Sequence, residues 1–152
     1  MNKNMKESNE MTLTVPAIGV NEAFVRGAVA AFAVQLDPTV EEINDIKTAV
    51  SEAVTNCIVH GYEGKGSGDI TVKCSAGGGR LHIAVSDAGV GIPDVARARE
   101  MFYTTKPEQE RSGMGFAIME TFMDALEVES AAGSGTIVKM EKRIKGKADK
   151  AD

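Results

Sequence analysis

The sequence predicts an α+β domain, a mixed β-sheet of about five strands with three main helices packed on one face. Three observations lead there. Apolar residues recur at helical spacing in two consecutive segments, Val20 to Leu36 and Ile43 to Ile58, and at period two in several short runs. Strands and helices come in runs instead of regular alternation, which argues against a parallel α/β sheet. Most of the 16 glycines gather at 61–68, 77–79, 89–91, 113–115 and 133–135, the expected element boundaries, where turns need backbone freedom.

The elements follow in order. Residues 1–10 are polar and expected to be a disordered extension. Thr12-Leu13-Thr14-Val15 alternates polar and apolar, as a half-buried strand does. Val20, Phe24, Val25, Ala28, Val29, Phe32 and Leu36 form the stripe of a first helix, ended by Asp37-Pro38. Thr39 and Glu42 form a capping-box pattern that opens a second helix. Its stripe is Ile43, Ile46, Val50, Val54 and Ile58, and it reaches about His60 before Gly61 stops it. Ile70, Val72 and Cys74, then Gly77-Gly78-Gly79, then Leu81, Ile83 and Val85 read as a hairpin. From Asp87 to Gly115 the chain is rich in glycine and charge, with at most a short helix around 93–101. A helix over 113–124 follows, then strands over 125–131 and 135–143 about Gly133-Ser134-Gly135. Residues 144–152 form a charged tail expected to be disordered, which leaves one domain over 11–143.

Composition excludes several function classes. Lys and Arg total 17 against 22 Asp and Glu, a net charge of −5. That balance argues against non-specific binding to nucleic acid or an anionic membrane, which need clustered positive charge. No apolar run approaches the roughly 20 residues of a membrane span. The opening MNKNMKESNE lacks the apolar stretch of a signal peptide. Cys57 and Cys74, with no CxxC pair, fit a reducing cytoplasm and read as small buried hydrophobes.

Four local patterns carry candidate chemistry. Glu52 and Asn56 lie four apart on the second helix, hence on one face, outside the apolar stripe. A carboxylate and an amide oxygen side by side suit a hydroxyl and a hard cation, although such a pair is more often a solvated face. Asp87-Ala88-Gly89-Val90-Gly91 directly follows a strand. Its glycines let the backbone approach a planar or anionic ligand, and the aspartate can accept from an exocyclic amine; the plainer reading is a tight turn. Arg111-Ser112-Gly113-Met114-Gly115-Phe116 opens a helix, where free N–H groups and glycines favour an anion, with Lys106 and Arg111 adding positive charge. This is neither a Walker loop nor a dinucleotide fingerprint. Gly135-Thr136 opens the last strand, where a threonine is ordinary but could also bond a ligand.

Taken in order, an acid/amide helix, an Asp-glycine loop, a glycine helix start and a strand Gly-Thr resemble the four nucleotide-binding boxes of the GHKL family. That family includes gyrase-type ATPases and sensor histidine kinases. The resemblance covers roughly 11–143. The runs SEAVTNCIVHGYE, SDAGVGIPD and TTKPEQERSGMGFAIMETFMD look most like the family's anti-sigma factor serine kinases of spore-forming bacteria. The resemblance implies the Bergerat ATP-binding sandwich and an ATP- and Mg²⁺-dependent kinase that also inhibits a sporulation sigma factor of the sigma F kind. It implies a homodimer that phosphorylates a serine of its anti-anti-sigma antagonist and so inactivates it. Glu52 matches the general base and Asn56 the Mg²⁺-carrying residue. Asp87 would read the adenine amine with Thr136 beside it, and Gly89 and Gly91 would shape the pocket. The stretch from about Val95 to Gly115 would be a mobile lid, in which Thr104, Thr105, Lys106, Arg111, Ser112, Gly113, Met114, Gly115 and Phe116 touch nucleotide and Arg111 lies nearest the γ-phosphate. Ala88 stands where relatives often carry an acid. Arg26, a charge on a mostly apolar helix, reads as an exposed arginine or a partner contact. His60 lacks the preceding helices that a phosphoacceptor would need. The alternatives are a stress-response anti-sigma B kinase, a GHKL ATPase, or a detached histidine-kinase catalytic domain.

Overall fold

The computed structural model describes residues 8–100 and 115–146. Period-two alternation builds five strands: β1 (Asn9–Pro16), β2 (Asp69–Gly77), β3 (Arg80–Asp87), β4 (Ala125–Ser130) and β5 (Thr136–Arg143). They form one sheet in the order β1-β2-β3-β5-β4. The α+β class stands, but the sheet expected to be mixed is antiparallel in every pairing. The reason lies in where the excursions return. Pro16, where β1 ends, sits opposite Asp69, where β2 begins. Asp87, the end of β3, sits opposite Thr136, the start of β5. The first long connection leaves and re-enters at the same end of the sheet, so β2 must run opposite to β1. The second crosses to the far end, so β4 runs the same way as β3, and every pairing stays antiparallel because β5 inserts between them. Between β2 and β3 the turn is made by Gly78 and Gly79 at φ +59° and +74°, a region that glycine enters without a Cβ penalty.

The helices α1 (Val20–Ala33), α2 (Val40–Asn56) and α4 (Gly115–Phe122) cover one face, with α2 packed between the other two. α3 (Val95–Ala98) is a single short turn. From the sheet, Ile70, Val72, Cys74, Leu81, Ile83, Val85, Val138 and Met140 face inward against Ile46, Ala49, Val50, Ala53 and Val54 of α2 in one core. On α1 the buried residues are Val25, Val29 and Ala33. Val20 and Phe24, expected in that stripe, are 75% and 56% exposed. An apolar stripe wider than the contact with one neighbouring helix leaves its far edge in solvent. Among the described residues no helix is long and apolar enough to cross a membrane.

The capping box forms as the sequence predicts. The Thr39 hydroxyl accepts from the Glu42 N–H at 3.1 Å, and Glu42 Oε1 accepts from the Thr39 N–H at 2.9 Å. Glu42 has a second duty, because its carboxylate also accepts from the N–H groups of Lys145 and Gly146 at 2.8 and 3.1 Å. Ile144 is 7% exposed and belongs to the core. Residues 144–146, expected within the charged tail, are therefore pinned to the start of α2, and β1 likewise starts at Asn9, inside the expected extension. Burial pushes the Glu42 carboxyl up, but the bonds from Thr39, Lys145 and Gly146 outweigh it and hold it below the usual range. Glu42→Ala strands these donors and is expected to cost about 1–3 kcal/mol of stability at neutral pH. A depressed folded-state pKa gives stability above the ordinary carboxylate range that is lost as pH falls through the folded value. Wild type should therefore lose part of its margin over the variant on acidification, as urea unfolding at neutral and acid pH would show.

Candidate functional site

Glu52 and Asn56 stand one turn apart on α2, both half-buried, while Ala49, Val50, Ala53 and Val54 turn into the core. Past Asn56 the helix widens into a π-helical turn, Cys57–Gly61, closed by the Tyr62 N–H on the Cys57 carbonyl at 2.9 Å. Such an insertion redirects the chain inside a helix and recurs at functional sites. Here it carries the helix end against the end of β3.

Asp87 closes β3, and its carboxylate meets that turn directly. A Cβ added to Gly61 would lie 2.7–2.9 Å from the carboxylate atoms, so only glycine leaves room. The Gly61 carbonyl accepts from the Val90 N–H at 2.9 Å, and a Cβ on Gly89 would run into the same carbonyl. Tyr62 bridges the segments: its hydroxyl accepts from the Ala88 N–H and donates to the Asp69 carbonyl, both at 2.7 Å. Asp87 Oδ1 accepts from the Gly89 N–H at 2.9 Å, and the Cys57 thiol and the Thr136 N–H lie near the same carboxylate as further donors. Burial outweighs these donors and keeps the Asp87 carboxyl above its usual range. Burial, then the Asp87 charge, pushes the Cys57 thiol well up. The thiol is therefore a hydrogen-bond donor at neutral pH and not a nucleophile.

The opposite rim is knit by Ser130. Its hydroxyl donates to the Gly135 carbonyl and accepts from the Ile92 N–H, each at 2.7 Å, and lies 2.8 Å from the Thr136 hydroxyl. Gly91 adopts φ +76°, and a side chain there would collide with the Ala131 carbonyl. The Asp-glycine loop is thus locked to both the π-helical turn and the β4–β5 connection.

The described fold therefore brings Asp87, Gly89, Gly91 and Thr136 to one end of the sheet and joins them to the helix bearing Glu52 and Asn56. Gly115 and Phe116 are buried at the described start of α4. Thr104, Thr105, Lys106, Arg111, Ser112, Gly113 and Met114 lie outside the described residues. Arg26 is on α1, remote in sequence from this cluster, with its guanidinium 3.1 Å from Glu22. Sequence reasoning missed Cys57, Gly61, Tyr62 and Ser130 as parts of the site. Gly61 reads as a helix stop, and only its contact with a strand 26 positions later gives it a second role. For a hard cation, Glu52 and Asn56 offer oxygens on neighbouring turns. Among the described residues no group of three or more His, Cys, Asp or Glu is gathered into a metal cage. This donor set suits Mg²⁺, which keeps waters and takes phosphate oxygens alongside one or two protein ligands.

The chain is similar to known proteins. The family model described as a histidine kinase-like ATPase domain matches residues 18–142. An anti-sigma F factor of Thermoanaerobacter sp. (strain X514) is 56% identical over 140 residues, 92% of this chain and 97% of the relative. The anti-sigma F factor of Clostridium beijerinckii is 53% identical over 136 residues, covering 90% and 95% of the two chains. That of Geobacillus kaustophilus is also 53% identical over 136 residues, covering 90% and 93%. Among solved structures, the RsbU and RsbW domains of a Mycobacterium tuberculosis protein superpose with a TM-score of 0.65 at 21% identity, over 90% of this chain. Full-length ShkA in complex with AMPPNP gives 0.54 at 20% identity, over 86%. The chain spans 32% and 31% of those two longer chains, and at such identity they speak to the fold alone.

Proposed function

Because this chain belongs to the histidine kinase-like ATPase family, in its anti-sigma F factor branch, we propose that it is an ATP-dependent serine kinase and sigma-factor inhibitor. ATP binds at the end of the sheet, phosphorylates a serine on an anti-anti-sigma partner and leaves as ADP. The supporting observation is the π-helical turn Cys57–Gly61, which joins the helix carrying Glu52 and Asn56 to the Asp87 loop. On this reading that turn joins the base-reading and phosphate-reading ends of one nucleotide pocket.

Asp87 accepts the exocyclic amine of adenine, with Thr136 beside it, and Gly89 and Gly91 let the base lie against bare backbone. Glu52 takes the proton from the attacking serine hydroxyl as its oxygen bonds to the γ-phosphorus and the bond to the ADP oxygen breaks. Asn56 would hold Mg²⁺, which would supply charge neutralisation to the transferring phosphate. Thr104, Thr105, Lys106, Arg111 and the backbone from Ser112 through Gly113, Met114 and Gly115 to Phe116 contact the phosphates, with Arg111 at the γ-position. Positioning and charge dominate such a transfer.

Partner binding is assigned to α1. Val20 and Phe24 are exposed one turn apart there, with Ile18 exposed just before the helix, an apolar patch of the kind that marks protein contacts. Arg26, paired with Glu22, is the charged candidate on another side of the same helix. On this reading a homodimer presents that surface to the sigma factor, sigma F, and to the antagonist. The test is incubation with labelled ATP, Mg²⁺ and the anti-anti-sigma protein, followed by location of the label. Acid-stable label on the partner's serine is expected. Label released as inorganic phosphate, or held acid-labile on histidine, would overturn the assignment.

A further inference from the structure

We propose that Cys57 is a positioning residue for adenine recognition: its buried thiol orients the Asp87 carboxylate so that one direction stays open to the exocyclic amine. The inference rests on the nucleotide reading above and adds a specificity role to a residue outside the assigned phosphate contacts.

Cys57 is 3% exposed and opens the π-helical turn directly after Asn56. Its turn abuts the Asp87 carboxylate at Gly61, and its buried thiol lies close enough to that carboxylate to donate to it. The other protein donors to that carboxylate are backbone N–H groups, of Gly89 and Thr136. Both belong to Asp87's immediate surroundings, the loop it opens and the strand residue facing it. Cys57 alone among these donors fixes the carboxylate to the helix that carries the candidate chemistry. Gly61, one turn on, closes the same side of Asp87, since a Cβ there would meet its carboxylate.

An ionised carboxylate has about four acceptor directions. The Gly89 N–H is bonded to Oδ1, and the Thr136 N–H and Cys57 thiol are near the same carboxylate; on this reading these donors set its plane and leave one direction for the amine. A purine that lacks the amine leaves this oriented acceptor unpaired, and one bearing a carbonyl there meets it oxygen to oxygen. Without the thiol, the carboxylate can turn about its terminal torsion, which is intrinsically broad. The amine is then gripped less well and its absence matters less.

The experiment compares full-length wild type, Cys57→Ala and Cys57→Ser by calorimetry with ATP and with purine riboside triphosphate, in which hydrogen replaces the amine. Wild type is expected to prefer ATP. Cys57→Ala should reduce that preference about tenfold, as expected for one lost hydrogen bond to a charged group, while Cys57→Ser, which keeps a donor, stays within about threefold of wild type. In the transfer assay the Ala variant should raise KM for ATP with kcat little changed. An unchanged preference in Cys57→Ala, or equal loss in Ala and Ser variants that melt like wild type, would show that the thiol only fills space. Absence of any ATP preference in wild type would instead remove the adenine reading itself, so the two failures are distinguishable.

Discussion

Glu52→Ala is expected to slow serine phosphorylation about 10²- to 10⁴-fold, the usual contribution of a positioned general base, with the Kd for ATP within about threefold of wild type. The separation follows from where the side chain sits. Glu52 is half-buried at the flank of the α2 face that buries Ala49, Val50, Ala53 and Val54, and is not itself one of the buried core residues, so its truncation opens no hole in the core. Its assigned work is on the acceptor hydroxyl, not on the nucleotide, so the loss should fall on kcat. Asn56, one turn further on, should behave oppositely. Asn56→Ala is expected to weaken ATP binding in Mg²⁺ toward the value measured with a chelator, because its assigned work is on the cation. Single-turnover transfer and calorimetry on both variants give the comparison. Wild-type phosphorylation by Glu52→Ala would remove the base assignment, and Mg²⁺-dependent affinity unchanged in Asn56→Ala would remove the metal role.

What could be read in the sequence was mostly local. The Thr39–Glu42 capping box, the glycine hairpin between β2 and β3 and the helical register of Ile46, Val50 and Val54 each depend on neighbours within a few positions. The sense of the sheet is different in kind, because it depends on where a long excursion returns, and periodicity carries no information about that. Val20 and Phe24 fit the helical spacing of α1 yet face solvent, since a repeat defines a face without saying what covers it. Glu42 shows the same limit. Its bonds to Thr39 lie within one turn, while those to Lys145 and Gly146 cross more than a hundred positions. Within the site, Asp87 and Thr136 emerged from motif order, and the β3–β5 register places them face to face. Cys57 looked like an inert hydrophobe because its partner carboxylate arrives from another element.

Asp87→Asn should separate binding from stability. The substitution keeps the shape of the side chain and removes its charge. If the amide oxygen keeps the bond from the Gly89 N–H, the NH₂ takes the other direction, where a donating adenine amine would meet a second donor. Loss of a hydrogen bond to a charged group costs about 1.5–3 kcal/mol, or about 10- to 150-fold in Kd for ATP. Folding should not suffer in proportion. Burial holds the Asp87 carboxyl above its ordinary range, so the folded state favours its protonated form. That contribution is present at low pH and is lost as pH rises through the folded value. At neutral pH the native carboxylate is therefore a small destabilising element retained for binding, and a neutral amide should match or raise the thermal midpoint. The Cys57 thiol can rotate and accept from the new NH₂, since sulfur is a weak acceptor as well as a donor. In wild type the same raised value means that ATP affinity should decline on acidification earlier than an ordinary aspartate would allow. Calorimetry at neutral pH paired with thermal melts decides the matter: full ATP affinity in Asp87→Asn would exclude this carboxylate as the adenine reader, and a large drop in melting temperature would mean that its main work is structural.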